Sequence, residues 1–175
     1  MEIHEIAAEF GLKVIDDTAH AIGAKYKETF LGAVADFTTY FFQAIKHITT
    51  GDGGVLHVKD AELAEKGKRR RWFGVDRKAK FGGIWANDIS KIGYKYQMTG
   101  IGAAIGLVGL KHLVFVLSHR RELLSTFEEG LKDATGLYKV GFESQSDRLH
   151  SAWLHTVLVE NREELQKKLA ANGIE

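Results

Sequence analysis

The sequence has no cysteine and no proline among its 175 residues. Without a thiol there is neither a disulfide framework nor a thiolate metal site, which fits a reducing cytoplasm. The missing proline carries no physical implication that we can assign. Charge of a single sign is also absent. The 24 basic and 23 acidic residues nearly cancel, so net charge implies no broad attraction to nucleic acid or to an anionic membrane. Partners must be chosen by local sites. The longest apolar region, "IGAAIGLVGLKHLVFVL", is interrupted by Lys111 and His112, short of the roughly 18 residues expected of a membrane span. The GxxxG of Gly102 and Gly106 then fits a buried helix with close backbone approach better than pairing in a membrane. The N-terminus, "MEIHEIAAEFG", is acidic and amphipathic and lacks the basic start and apolar stretch of a secretory signal, so a cytoplasmic location is expected.

What the chain does have is core-forming material: 45% of it is hydrophobic and 10% aromatic, enough for one packed domain or slightly more. Ile3, Ile6, Ala7 and Phe10 recur at helical spacing and Gly11 closes the pattern as a C-cap, after which "LKVID" reads as a short buried strand. Residues 36–42 ("DFTTYFF") and 54–58 ("GVLHV") are aromatic or β-branched and read as further strands. Asp60 is a natural N-cap for a helix with Glu62 and Glu65 early and "KGKRRR" late, the order that suits the helix dipole. Arg69 to Arg71 therefore read as a solvated helix end before they read as a nucleic-acid patch. A long helix follows from about Thr99, with Leu110, Leu113, Leu117, Leu124 and Phe127 on one stripe, ending near Gly130. Residues 151–160 form another strand, and an Asn161 to Glu164 capping box opens a last helix that stops at Asn172 and Gly173. Strands alternating with helices predict an α/β fold whose sheet lacks some members.

Familiar site motifs fail in turn. "HEIAA" has Ala8 where a zinc protease needs its second histidine, and no histidine pair stands at ligand spacing, so no metal site is expected. "GIGAAI" has Ile105 in place of the third glycine of a dinucleotide fingerprint. "GDGGVLHVK" lacks the GK[ST] ending of a phosphate-binding loop, and there is no GxSxG elbow. Two features survive. Asp17 closes an apolar strand, and the carboxyl end of a strand is where ligands bind in an open α/β sheet. An aspartate there is a candidate site acid or a loop carboxylate capping local amides. Lys46 stands in "FFQAIKHITTGDGG", between an aromatic run and a cluster of glycines, where its stem can lie on apolar surface with its ammonium in water.

Four segments, "VIDDTAHAIGAKYK", "TTYFFQAIKHITTGDGG", "RRRWFGVDRKAK" and "DISKIGYKYQMTGIGAAIGLV", occur in an order and spacing that resembles the DegT/StrS-type nucleotide-sugar aminotransferases. These are pyridoxal-phosphate enzymes of fold type I. The resemblance implies a partial three-layer α/β/α fold truncated at both ends, with residues 1–130 in the large cofactor-binding domain and 131–175 beginning a small α+β domain. It implies that Lys46 forms the Schiff base with the cofactor aldehyde. Among Phe41, Phe42 and Ile45 such a lysine is partly desolvated, which favours its neutral, nucleophilic form. Asp17 would pair with the pyridine nitrogen, His20 would stand near the ring hydroxyl, and Lys95 of "GYKYQMT" would meet the cofactor phosphate of a partner subunit in a homodimer. The implied reaction moves an amino group, with glutamate as donor, to a nucleotide-linked keto-sugar, a 4-keto-6-deoxyhexose in the members most alike. No nucleic acid or membrane partner is implied.

The departures from the pattern are specific. Phe41 stands where the family usually has a phosphate-binding serine, and Gly109 where a glutamine is common, at a helix-propensity cost of up to about 1 kcal/mol relative to alanine. Family members are also much longer, and the phosphate-cupping turn and the aromatic that stacks on the ring have no counterpart in this sequence. A second reading follows from this: a non-catalytic remnant or interaction module that keeps part of the fold without a complete cofactor site.

Overall fold

The computed structural model describes residues 2–76, 89, 91–139 and 146–174. Arg77 to Lys80 of "RRRWFGVDRKAK", and Asp88 and Ser90 of "DISKIGYKYQMT", lie outside the described residues.

The first helix, α1 (Glu2–Glu9), ends as its sequence predicts: Gly11 takes φ +62°, and the amides of Phe10 and Leu12 return to the carbonyls of Ile6 and Ala7. Strands β1 (Ile15–Asp17), β2 (Lys25–Tyr26), β3 (Thr29–Phe30), β4 (Phe37–Phe41) and β5 (Gly54–Val58) follow. β1 runs parallel to β4 and β4 antiparallel to β5, giving a sheet of order β1-β4-β5 with Asp17 opposite Thr39. Asp36 fixes the entry to this sheet, accepting from the Val14 amide at 3.0 Å and from Lys13 Nζ at 2.8 Å.

Helix α2 (Ala61–Arg71) is capped by Asp60, whose carboxylate accepts from the Leu63 amide at 2.8 Å, and its last turn carries Lys68 to Arg71 against the negative end of the dipole. Thr99 caps α3 (Gly100–Gly130) in the same way. The buried side of α3 differs from the expected leucine stripe. Leu117 is buried and Leu113 and Leu124 are half-buried, but Leu110 and Phe127 are 51% and 53% exposed, and toward its start the seam runs through Gly102 and Gly106. The reason is the loop after Lys46. A Cβ at Gly106 would stand 3.0 Å from Thr50 Cγ2, and one at Gly109 would stand 2.9 Å from Ile48 Cγ2, so that loop lies directly on the glycines. The interruption at Lys111 and His112 does not keep α3 from being apolar: its most apolar 18-residue window has a mean hydropathy of 1.9, and by length and composition it is able to cross a bilayer.

Gly109 has a steric reason that outweighs its poor helix propensity. We expect Gly109→Ala to destabilise the chain, because overpacking against the buried, β-branched Ile48 costs roughly 1–3 kcal/mol while the propensity gain is at most about 1 kcal/mol. Urea unfolding of the two proteins decides it; a more stable alanine variant would show that the loop yields.

Beyond α3 the chain forms β6 (Leu137–Lys139), β7 (Arg148–Leu149), β8 (Val157–Val159) and α4 (Arg162–Ala171). β6 pairs antiparallel with β8, while β7 joins β2 and so ties the chain after α3 to its N-terminal part. The strand expected over 151–160 shrinks to Val157–Val159, since Ala152 adopts φ +54° and Ser151 is buried against two other loops. α4 opens as predicted: Asn161 accepts from the Glu164 amide and its Nδ2 donates to the Glu164 carboxylate. The accessible surface is 13473 Å², against about 8,500 Å² for a compact chain of this mass. Much of the excess is apolar. Ile3 and Ile6 of α1, Phe10 just after it, and Ile101, Val114 and Phe115 of α3 are all exposed.

Candidate functional site

The parallel register of β1 and β4 puts the last residue of β1 beside Thr39. Thr39 Oγ1 donates to Asp17 Oδ1 at 3.1 Å, and the Ala19 amide donates to the same oxygen at 3.0 Å as the chain turns out of the sheet. The buried Thr18 secures that turn, with both its amide and its hydroxyl donating to the Thr39 carbonyl. The bond from the Ala19 amide, then that from Thr39, hold the Asp17 carboxyl below the usual carboxylate range, and the Lys46 ammonium adds to the effect. Asp17 is thus a fixed anion. It does cap a local amide, but with Oδ1 alone; among the described residues no hydrogen bond is made by Oδ2.

Lys46 lies in the loop that follows β4. This loop is closed on itself, with the Phe42 amide donating to Gly53, the Thr50 amide to Phe42 and the Lys46 amide to Gln43. His47 and Ile48, next in sequence, are buried, so the loop is anchored on one side of the lysine while the lysine itself is half-buried. Its Nζ sits 3.5 Å from the centre of the Trp153 ring and 5.5 Å from that of Phe41. His20 packs on the same indole, ring centres 3.7 Å apart at 30°. Asp17, His20 and Lys46 are therefore brought together. Lys95 is not joined to them by any contact among the described residues. It pairs with Trp72 in a single antiparallel bridge beside the end of α2 and is exposed, and its sequence neighbours Tyr94 and Tyr96 stack on one another.

Sequence reasoning missed the residues that hold this cluster. Ser151 Oγ donates to the His20 carbonyl at 2.7 Å, and its own carbonyl accepts from His47 Nε2 at 2.8 Å. Trp153 Nε1 donates to the Ile45 carbonyl at 3.0 Å, and Arg120 and Arg121 of α3 reach the carbonyls of Trp153, His150 and Gly23. The available signal was "SAW" itself, two small residues before a tryptophan, which reads locally as the start of a strand.

Burial pushes the His47 imidazole below its ordinary value, and the nearby charges of Arg120, Lys46 and Arg121 act in the same direction against the bond to Ser151. Burial also lowers His150. A depressed imidazole stays neutral in the folded chain while the unfolded chain takes up a proton. Stability is then fully present above about pH 6.5 and falls as pH drops from there toward the folded value. Chemical unfolding from pH 8 to pH 5 is expected to show this decline, and His47→Gln is expected to flatten it. A wild-type profile without slope below pH 6.5 would contradict the assignment.

The family model described as the DegT/DnrJ/EryC1/StrS aminotransferase family matches residues 1–175. The GDP-perosamine synthase of Escherichia coli O157:H7 is 33% identical over 177 residues, covering 99% of this chain and 46% of that enzyme. Among solved structures, the sugar aminotransferase CalS13 from Micromonospora echinospora superposes with a TM-score of 0.85 at 29% identity, over 97% of this chain and 46% of that one. DesV of S. venezuelae, solved in complex with a ketimine intermediate, gives a TM-score of 0.85 at 28% identity, over 99% and 44%. The chain has the α/β fold of part of these proteins and spans less than half their length.

Proposed function

Because this chain belongs to the DegT/DnrJ/EryC1/StrS aminotransferase family, we propose that it carries the lysine-bearing part of a pyridoxal-phosphate enzyme that moves an amino group to a nucleotide-linked keto-sugar. The observation that carries the reading is the convergence of Asp17, His20 and Lys46. These residues fit the cofactor: Asp17 is a carboxylate whose Oδ1 is held by the Ala19 amide and Thr39 and whose charge suits a protonated ring nitrogen, and Lys46 carries a primary amine on an aromatic surface. Bound there, pyridoxal phosphate supplies an aldehyde to condense with amines and a ring to accept electrons from carbon. Asp17 would hold the positive nitrogen, His20 would border the ring, and Lys46 would anchor the aldehyde and move the proton during transfer.

The relatives point to a sugar substrate by their names; glutamate is the donor and the cytoplasm the location that we propose. The exposed apolar sides of α1 and α3 suit burial against further polypeptide, and a homodimer is the assembly we propose. Lys95, exposed and apart from the other three, would serve the partner subunit's cofactor phosphate. The test is selective attachment of pyridoxal phosphate to Lys46, trapped by borohydride reduction; a folded chain that takes no label there leaves the non-catalytic reading.

A further inference from the structure

The tryptophan that touches both Lys46 and His20 comes from the opposite end of the chain, 108 positions beyond the carbonyl that holds it. Its placement is fixed by hydrogen bonds at both its ring and its backbone. Its Nε1–H is tied to the Ile45 carbonyl, one residue before the lysine, and its own carbonyl is held by Arg120. Ser151, two residues earlier and 1% exposed, is fastened to the His20 carbonyl by its hydroxyl and to His47, next to Lys46, by its carbonyl. Between them Ala152 sits at φ +54°, a conformation that is unfavourable for alanine and that is kept when the surroundings over-determine it. The strained residue is what separates the serine, facing inward between the two loops, from the indole lying on the lysine.

We propose that Trp153 is the positioning residue for the Lys46 amine, with Ser151 and Ala152 as the support that aims it. The inference rests on reading Lys46 as the nucleophile. A lysine side chain has four rotatable bonds, and an ammonium over an aromatic face at 3.5 Å has an electrostatic reason to stay in one of its many arrangements. The same ring bears on His20, so one indole fixes the amine and a wall of the site together. A loop lysine is thereby held in a near-attack position instead of sweeping through solvent.

The experiment has two readouts. In the first, lysines of the 175-residue chain are dimethylated with carbon-13 formaldehyde and cyanoborohydride, which requires no cofactor pocket. The Lys46 methyl resonance is assigned by its absence in Lys46→Arg. A ring beside the amine moves that resonance upfield of the other lysines. We expect this in the wild type and, more weakly, in Trp153→Phe, which keeps a ring but loses the tie to Ile45. We expect its loss in Trp153→Leu. In the second, pyridoxal phosphate and borohydride are applied, and the share of label on Lys46 is expected to fall at least about fivefold in Trp153→Leu and to be largely rescued in Trp153→Phe. A wild-type resonance lying among the other lysines overturns the proposal whatever the variants do, including a Trp153→Leu chain that fails to fold. So does a folded Trp153→Leu chain that labels at Lys46 as the wild type does. A shifted wild-type resonance with no label at Lys46 would instead sink the cofactor reading and leave the indole's hold on the amine standing.

Discussion

Pyridoxal phosphate mixed with the folded chain and reduced with borohydride is expected to leave a stable mass addition on Lys46 in preference to the other lysines, and Lys46→Ala is expected to abolish that selective label. The reasoning is local. Any lysine condenses reversibly with an aldehyde, so scattered low labelling is the background against which a site must stand out. Lys46 differs from an exposed lysine in three respects that the geometry supplies. Its loop is closed by backbone hydrogen bonds, its Nζ lies on an aromatic face, and a fixed anion stands near enough for the two charges to interact. An anion that pairs with the ring nitrogen would keep the aldehyde near the amine, which would turn a bimolecular encounter into a local one. Phe41, whose ring lies 5.5 Å from Nζ, offers the phosphate no hydrogen bond. Any hold on the phosphate must then come from other residues. Label spread evenly over the lysines of a folded wild type would defeat the proposed function. Loss of selectivity from Lys46→Ala is the outcome that ties the site to this residue.

The elements that were legible before the fold was known are those with local causes. Gly11, Asp60, Thr99 and Asn161 mark helix ends because a cap is decided within a few residues, and each does so in the structure. Asp17 was legible as the end of an apolar strand, and Lys46 through the family pattern around it. What was not legible depends on partners far along the chain. β2 and β7 are two residues each, too short for any periodicity, and exist because they pair with one another across the length of α3. Gly109 read as a propensity defect until Ile48 was seen to occupy the space its side chain would need. The leucine stripe of α3 was legible at Leu113, Leu117 and Leu124 but not in its first turns, where the side chains of Ile48 and Thr50 lie on the helix and leave room for glycine alone. Trp153 combines both difficulties, since the positive φ at Ala152 and the tie to Ile45 are set by packing, and "SAW" shows only two small residues before a tryptophan.

Asp17→Asn separates the two readings of the aspartate, because both of its hydrogen bonds go to one oxygen. The amide oxygen of asparagine can keep the Ala19 amide and the Thr39 hydroxyl, so the turn after β1 survives while the negative charge and the acceptor at Oδ2 are lost. If Asp17 only caps the turn, cofactor binding is untouched. If it faces a protonated ring nitrogen, a charge-assisted bond is replaced by an amide that presents an N–H to an N–H, and affinity for pyridoxal phosphate is expected to fall at least about tenfold. Visible absorbance titration of the two proteins at pH 7.5 measures this, with thermal unfolding alongside to confirm that the fold is kept. The pH dependence gives an independent check. The folded carboxyl is depressed, so the stability it contributes is present above its unfolded value, near pH 3.9, and is lost as pH falls through the folded one. Asp17→Asn removes that acid limb and carries a small loss of stability at all pH values above it. A variant that binds cofactor as tightly as the wild type would return Asp17 to the role of a loop cap and leave Lys46 without its counter-charge.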